Sequence, residues 1–499
     1  MSSPLSLAGV LRLGRPSDIW FKPALSVVVA VAPPNLALLA LGRLDLAMYT
    51  MAGSLCALYA HNRPYAARAR ALAWVVLGML GGLAAALVAA SLPASAVVLV
   101  TVGAVLAAAQ KALCDATRIG PPGNVVLTFV SSAALFAPQS PAQVPGHLAL
   151  AAAAGAWAWP VGMAPGLLRP HGPERRATAG ALNAAAAYAE ASGISGTGGA
   201  PSTNGARGTG GEGGPREHRA RAHATATTAV QTARQALLST GRPSETRRAL
   251  ERLLVRAEVA LAAPADADPA LLRTWARQVR RNRPVPEVED LEGIGIELPA
   301  LPGPLLRRLG ALAPLAVRTA LGCALAGYAS LALGVGRPYW ALVTAASLYQ
   351  ASLTLTWGRG VQRVVGNLLG VLLFAAVVPL AHTGEAALVL CCLALNFGAE
   401  ALIGRNYWLG SVCVTPMALL VTEFAGFQEP GRLITERIVD TLVGALVGLV
   451  AAVAVPERRW QRVVRTERTT PRTLAATGRN QGPHPNQRTG SDVTEGIRP

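Results

Sequence analysis

From Arg337 to Val377 the chain reads RPYWALVTAASLYQASLTLTWGRGVQRVVGNLLGVLLFAAV. Two apolar runs of bilayer-spanning length flank a short hinge, Thr354 to Gly360, which carries Trp357 and Arg359 and is followed by Arg363. The hydrocarbon core of a bilayer is roughly 30 Å thick, so a crossing helix needs about 20 consecutive apolar residues. Long runs joined by a basic hinge predict a chain threaded back and forth through lipid, with the hinge on the cytoplasmic side.

The pattern recurs along the chain. Apolar runs fall near 24–42, 44–60, 71–91, 94–114, 124–138 and 146–168, and again near 311–334, 338–356, 361–381, 385–403, 406–423 and 433–455. Hydrophobic residues make up 52% and charged residues only 14% of the 499 positions. Soluble domains carry about 25% charged residues. The first run follows Arg12, Arg15 and Lys22 and is succeeded by others, so it is expected to be a membrane helix and not a cleaved leader. The expected fold is an all-α polytopic membrane protein. It comprises a first transmembrane block (1–168), a cytoplasmic helical segment (169–306), a second transmembrane block (307–456) and a disordered tail (457–499). Within the middle segment, 192–215 is Gly/Ser/Thr-rich and reads as a flexible linker. Ser244 is placed to cap a helix from Glu245, and Asp268-Pro269 to open another.

The net charge of +18 raises the possibility of nucleic-acid binding, but its distribution argues against it. Basic residues sit at the ends of apolar runs and in the tails, with no basic stripe interleaved with aromatics. Arg63, Arg68 and Arg70, Lys111 and Arg118, Arg359 and Arg363, and Arg405 fall in alternate loops. The opposite loops near Leu92, Pro138 and His382 hold no arginine or lysine. Arg43, Arg337, Arg432 and Arg437 depart from the pattern. The balance predicts a multi-pass protein of the cell membrane with both termini and the central segment cytoplasmic.

The halves also resemble one another. Gly42-Arg43 corresponds to Gly336-Arg337, and Arg68/Arg70 to Arg359/Arg363. Gly78 with Gly82 corresponds to Gly366 with Gly370, each pair marking a small-xxx-small packing face. Lys111 and Asp115 fall where Asn396 and Glu400 fall. Six spans per half would leave two repeats in the same orientation.

Catalytic constellations are absent from the sequence. No GxxxxGK[ST], HExxH or GxSxG occurs, and the seven histidines are scattered singly. The six cysteines lie in or beside apolar runs without a CxxC pair, as core thiols do. Neither an enzyme, a metal site nor a cofactor is expected. The expected partners are lipid and a small organic-acid substrate, and a homo-oligomer is compatible with the pattern. Ionisable or amide groups in apolar sequence are then the functional candidates. Arg359, Arg363 and Trp357 serve either as an interfacial anchor or as a vestibule for organic anions. Gln350, with Tyr349 beside it, either bonds a neighbouring helix or meets substrate. Glu400 and Asp440 either anchor or carry a coupling proton. Arg318 and Glu436 are expected to be anchors, with Glu436 one turn from Asp440.

The stretch from Arg337 to Gly370 resembles the fusaric acid resistance (FUSC)-like family, a branch of the aromatic acid exporters. The matching residues are Pro338, Tyr339, Trp340 and Ala341, then Arg359, Arg363, Gly366 and Gly370. Asn367 stands where threonine is common. The resemblance implies export of aromatic or other organic acids, driven by an ion gradient. A related plant branch behaves as anion channels, so passive conduction is the alternative, followed by a non-transporting membrane scaffold.

Overall fold

Apolar side chains point outward from much of this structure, which is what a helix surrounded by lipid requires. The computed structural model describes residues 7–14, 20–193, 215–239, 244–281, 283–288, 304–350 and 352–454, and among these there is no strand. The first half contains α1 (Leu7–Leu11), α2 (Phe21–Ala40), α3 (Ala47–Ser54), α4 (Tyr65–Ser91), α5 (Ala96–Thr117), α6 (Val125–Leu135), α7 (Val144–Met163) and α8 (Pro165–Leu168). Next come α9 (Gly172–Gly193), α10 (Pro215–Ser239), α11 (Glu245–Ala262) and α12 (Pro269–Arg280). The second half contains α13 (Leu305–Ala332), α14 (Tyr339–Leu348), α15 (Leu353–Ala381), α16 (Glu385–Ile403), α17 (Tyr407–Thr422) and α18 (Pro430–Ala454). The expected tail and most of the Gly-rich linker lie outside the described residues.

Nine of these helical stretches are long and apolar enough to cross a membrane, and the protein is an all-α polytopic membrane protein. The twelve apolar runs are not twelve full spans. Leu44–Leu58, Val125–Leu135 and Tyr339–Leu348 are shorter. At 1.5 Å per residue, the 10 residues of α14 reach only about 15 Å, half the hydrocarbon thickness.

The hinge lies earlier than the sequence suggested. Thr354 to Gly360 forms the opening turns of α15, and the helix breaks after Leu348 instead. Backbone groups freed inside a membrane must find partners in the protein. Here the Gln350 amide donates to Thr356 Oγ1 at 3.1 Å, and its carbonyl accepts from Arg318 Nη2 at 3.3 Å. Ser352 then caps α15 by accepting from the Leu355 amide at 3.3 Å. A polar side chain for each of these three groups makes the break affordable in lipid.

Outward faces are apolar throughout the blocks. On α18, Leu442, Leu446, Val450 and Val453 are exposed along one stripe, while Gly444, Gly448 and Ala452 face inward. In lipid, small residues inside and leucines outside let helices approach closely at no solvation cost. Helix pairing is similar in the two halves: α3 packs on α7 and α14 on α18, while α4 packs on α6 and α15 on α17. Across the halves α5 lies along α13 and α2 along α16.

The helices α9 to α12 have a core of their own, built on Leu182, Leu237, Leu250, Leu253, Leu254, Leu272 and Val279. Ser244 caps α11 through the Arg247 amide at 3.2 Å. Asp268 caps α12 through the amides of Ala270 and Leu271 at 2.8 and 3.1 Å. These caps satisfy amides that have no partner in the first turn.

Candidate functional site

The second block encloses a polar core in which cations outnumber acids. Positions 359, 363 and 367 lie one turn apart on α15, so Arg359, Arg363 and Asn367 share a face. That face meets Tyr407 at the start of α17. Arg363 is 3% exposed and donates from Nη1 to the Tyr407 hydroxyl at 3.1 Å. The Arg359 guanidinium stacks 4.0 Å from the centre of the Tyr407 ring. Across from them Arg437, on α18 and 1% exposed, lies 3.9 Å from the centre of the Trp340 ring. Nε of Arg363, and Nε and Nη1 of Arg437, are buried with no hydrogen-bond partner.

Asp440 lies three residues after Arg437 on the same helix and is fully buried. It accepts from Ser330 Oγ at 2.6 Å, and its Oδ2 has no hydrogen-bond partner. Among the described residues no ion pair engages Arg363, Arg437 or Asp440. Three arginines and one aspartate therefore leave a surplus of positive charge where little protein neutralises it. Burying an unpaired charge costs several kcal/mol.

A relay of small polar groups holds the helices around this cluster. Thr415 Oγ1 donates to Asn367 Oδ1 at 2.7 Å, Asn367 Nδ2 donates to Thr441 Oγ1 at 2.9 Å, and Thr441 Oγ1 donates to the Arg437 carbonyl at 2.7 Å. Close approach of α15 and α17 makes the relay possible. A Cβ on Gly366 would stand 2.6 Å from the Ser411 Cβ, and one on Gly370 equally close to the Thr415 Cβ. Residues 7–14 run alongside the cluster at one end: Gln362 Nε2 donates to the Val10 carbonyl at 2.9 Å and Trp408 Nε1 to the Leu11 carbonyl at 3.1 Å.

The structure brings together only part of the residues singled out from sequence. Arg359, Arg363 and Asp440 belong to the one polar core. Trp357 does not: it is exposed on the opposite face of α15, because two residues along a helix turn the side chain by about 200°. Tyr349 is buried against Arg318, whose guanidinium is 5.2 Å from its ring centre, and against Gly322. Gln350 is half-buried and its recorded bonds are those of its backbone. Glu400 lies on α16 and its field reaches Tyr59 of the first block; no ion pair joins it to Arg405 among the described residues. Glu436 turns away from Asp440 to Arg432 at 2.8 Å and Arg337 at 3.5 Å. In the first block Gly82 would press a Cβ to 2.6 Å from Gln110 Nε2, whereas Gly78 is exposed and a Cβ there would meet nothing within 4 Å among the described residues.

Tyr407 and Ser330 carry no sign of a site in the sequence, where Arg437 stands out only as a departure from the charge pattern and Trp340 only as a motif residue. One available signal was the spacing of Arg437 and Asp440 at i,i+3, which puts both on one face of α18.

Residues 323–451 match the family described as fusaric acid resistance protein-like. This segment contains every member of the polar core. The chain is also similar to the "Uncharacterized membrane protein YvaC" of Bacillus subtilis (strain 168), at 32% identity over 135 residues. That alignment covers 27% of this chain and 21% of the relative, so the chain spans about a fifth of the length of the curated relative it matches. No solved structure matches. Through the segment that builds its buried polar core, this chain is similar to the fusaric acid resistance protein-like family of membrane proteins.

Proposed function

We propose that the chain moves small organic anions, aromatic carboxylates first among them, across the membrane. The observation that carries this reading is the pair of buried guanidinium groups, Arg363 and Arg437, with N–H groups that no protein acceptor takes up. A carboxylate between them would accept those hydrogens as charge-assisted bonds and cancel part of the surplus charge. Trp340 stacks on Tyr339 with ring centres 5.1 Å apart, and with Tyr407 these rings offer an aromatic lining beside the cations.

Asp440 is the acid proposed to carry a coupling proton. It faces the cations, its Oδ2 is free of hydrogen bonds, and proton binding there would alternate with anion binding beside Arg437. The arginine bias of alternate loops supports both termini and α9 to α12 on the cytoplasmic side, which makes the expected direction export. The reciprocal packing of α5 on α13 and α2 on α16 supports a duplicated, parallel arrangement of the halves.

The test is uptake of labelled benzoate into proteoliposomes under an imposed pH gradient. Arg363→Gln is expected to lower uptake more than Arg363→Lys, because lysine keeps the charge and loses only the planar fork. Asp440→Asn is expected to abolish the response to the pH gradient while exchange persists. Wild-type uptake from Arg363→Gln together with an unchanged pH response from Asp440→Asn overturns the reading. Current that follows voltage and ignores the pH gradient in the wild type would identify passive conduction instead.

A further inference from the structure

A second group of cations gathers in the first block, where Gly172 at the start of α9 lies near Tyr65 at the start of α4. Arg68, near the start of α4, is 3% exposed. Its Nη2 donates to His61 Nδ1 at 3.0 Å, and its Nε is buried with no hydrogen-bond partner. The guanidinium lies against Gly162 of α7, where a Cβ would stand 3.6 Å from Nη2. Arg176 comes from the first turns of α9, and its Nη1 is likewise buried without a partner. Lys22, at the start of α2, lies in the fields of Arg176, Arg169 and Arg68. Lys22, Arg68 and Arg176 all act on His61, whose imidazole is pushed down to about 3, by burial first and then by these cations.

Acid is short here. Glu174, 3% exposed, is the carboxylate whose field reaches Arg176. Among the described residues, set against Lys22, Arg68, Arg169 and Arg176, it leaves three positive charges without a carboxylate. His61 stays neutral and contributes an acceptor only to Arg68. The first turn of α9 adds the positive end of a helix dipole. A monocarboxylate would leave most of this charge in place, whereas a phosphate group presents several acceptor oxygens to donors arriving from α2, α4 and α9.

We propose that this cation cluster binds a phosphate group, from free phosphate or from an anionic lipid headgroup, and that the bound group ties α9 to the first membrane block. The site lies outside the family-matched segment, and it stands whether or not the second block transports anions.

The wild type, Arg176→Gln and Arg176→Lys are compared in phosphatidylcholine nanodiscs by thermal unfolding. One arm titrates inorganic phosphate; the other replaces part of the lipid with phosphatidic acid. Arg176 is partly exposed on α9, so its replacement leaves the fold intact. The expected result is a raised midpoint in at least one arm, which identifies the source. In Arg176→Gln the half-saturating concentration of phosphate or phosphatidic acid rises about tenfold, equivalent to about 1.4 kcal/mol, and Arg176→Lys recovers part of it. No rise in either arm, equal titrations for wild type and Arg176→Gln, or a rise reproduced by sodium chloride at matched ionic strength each overturns the proposal.

Discussion

Replacing Arg437 with methionine separates a residue that builds the protein from one that serves an anion. Arg437 is 1% exposed, has no ion pair among the described residues, and leaves Nε and Nη1 without partners. Its visible compensation is the face of Trp340 at 3.9 Å. A desolvated cation–π contact contributes about 2 kcal/mol. Replacing buried charge by an apolar side chain of similar volume is neutral or stabilising by about 1–4 kcal/mol. The two effects oppose each other, so the net change in stability is expected within about 2 kcal/mol of zero and on the stabilising side if the desolvation term prevails. Anion binding should respond very differently. A charge pair at 4 Å in surroundings of effective dielectric 20 is worth about 4 kcal/mol. Benzoate affinity should therefore fall by two to three orders of magnitude, since each 1.4 kcal/mol is tenfold. The assay pairs thermal unfolding in nanodiscs with labelled benzoate uptake into proteoliposomes. If Arg437→Met lowers the midpoint sharply and uptake falls only with the folded fraction, Arg437 is structural. Uptake at the wild-type rate would equally refute its proposed role.

Three further outcomes are expected. Gly366→Leu should destabilise by roughly 1–3 kcal/mol or prevent folding, because its Cβ would collide with Ser411, whereas Gly78→Leu should leave the unfolding midpoint within error; equal effects would refute the packing assignment. Trp357→Ala should leave benzoate uptake within about twofold of wild type, since the ring points away from Arg363 and surface changes of this kind are usually small; a large loss would place the ring in the transport path. His61 has a folded-state pKa of about 3, below its ordinary 6.5. The unfolded chain thus binds the proton first, and the stability contributed by neutral His61 is whole above pH 6.5 and is lost as pH falls toward 3, at up to about 1.4 kcal/mol per pH unit. His61→Gln, which keeps an acceptor for Arg68, should flatten the unfolding midpoint between pH 6.5 and 4; identical slopes would show that another group governs this range.

Run length, caps and charge placement are local properties, and the sequence alone determined what depends on them. Twenty apolar residues in succession select lipid over water whatever their neighbours do, so the polytopic all-α class could be read directly. Ser244 and Asp268 cap α11 and α12 because a cap needs only the next three residues. Arg359 and Arg363 were legible as a basic pair, although the sequence set them at a hinge and not on one helix. Tertiary structure decided the rest. Trp357 points outward because the bundle moves the break to Tyr349 and Gln350 and lets α15 run as helix through the expected hinge. Whether α14 spans the membrane depended on Arg318 and Thr356, which accommodate the backbone of Gln350 from other turns of the bundle. Arg437 looked like a loop charge that broke the arginine pattern. It became a core residue only when α18 packed on α14 and laid the guanidinium over Trp340. Burial of a charge depends on every helix around it, and the spacing along its own helix carries no record of which side chains those helices will bring.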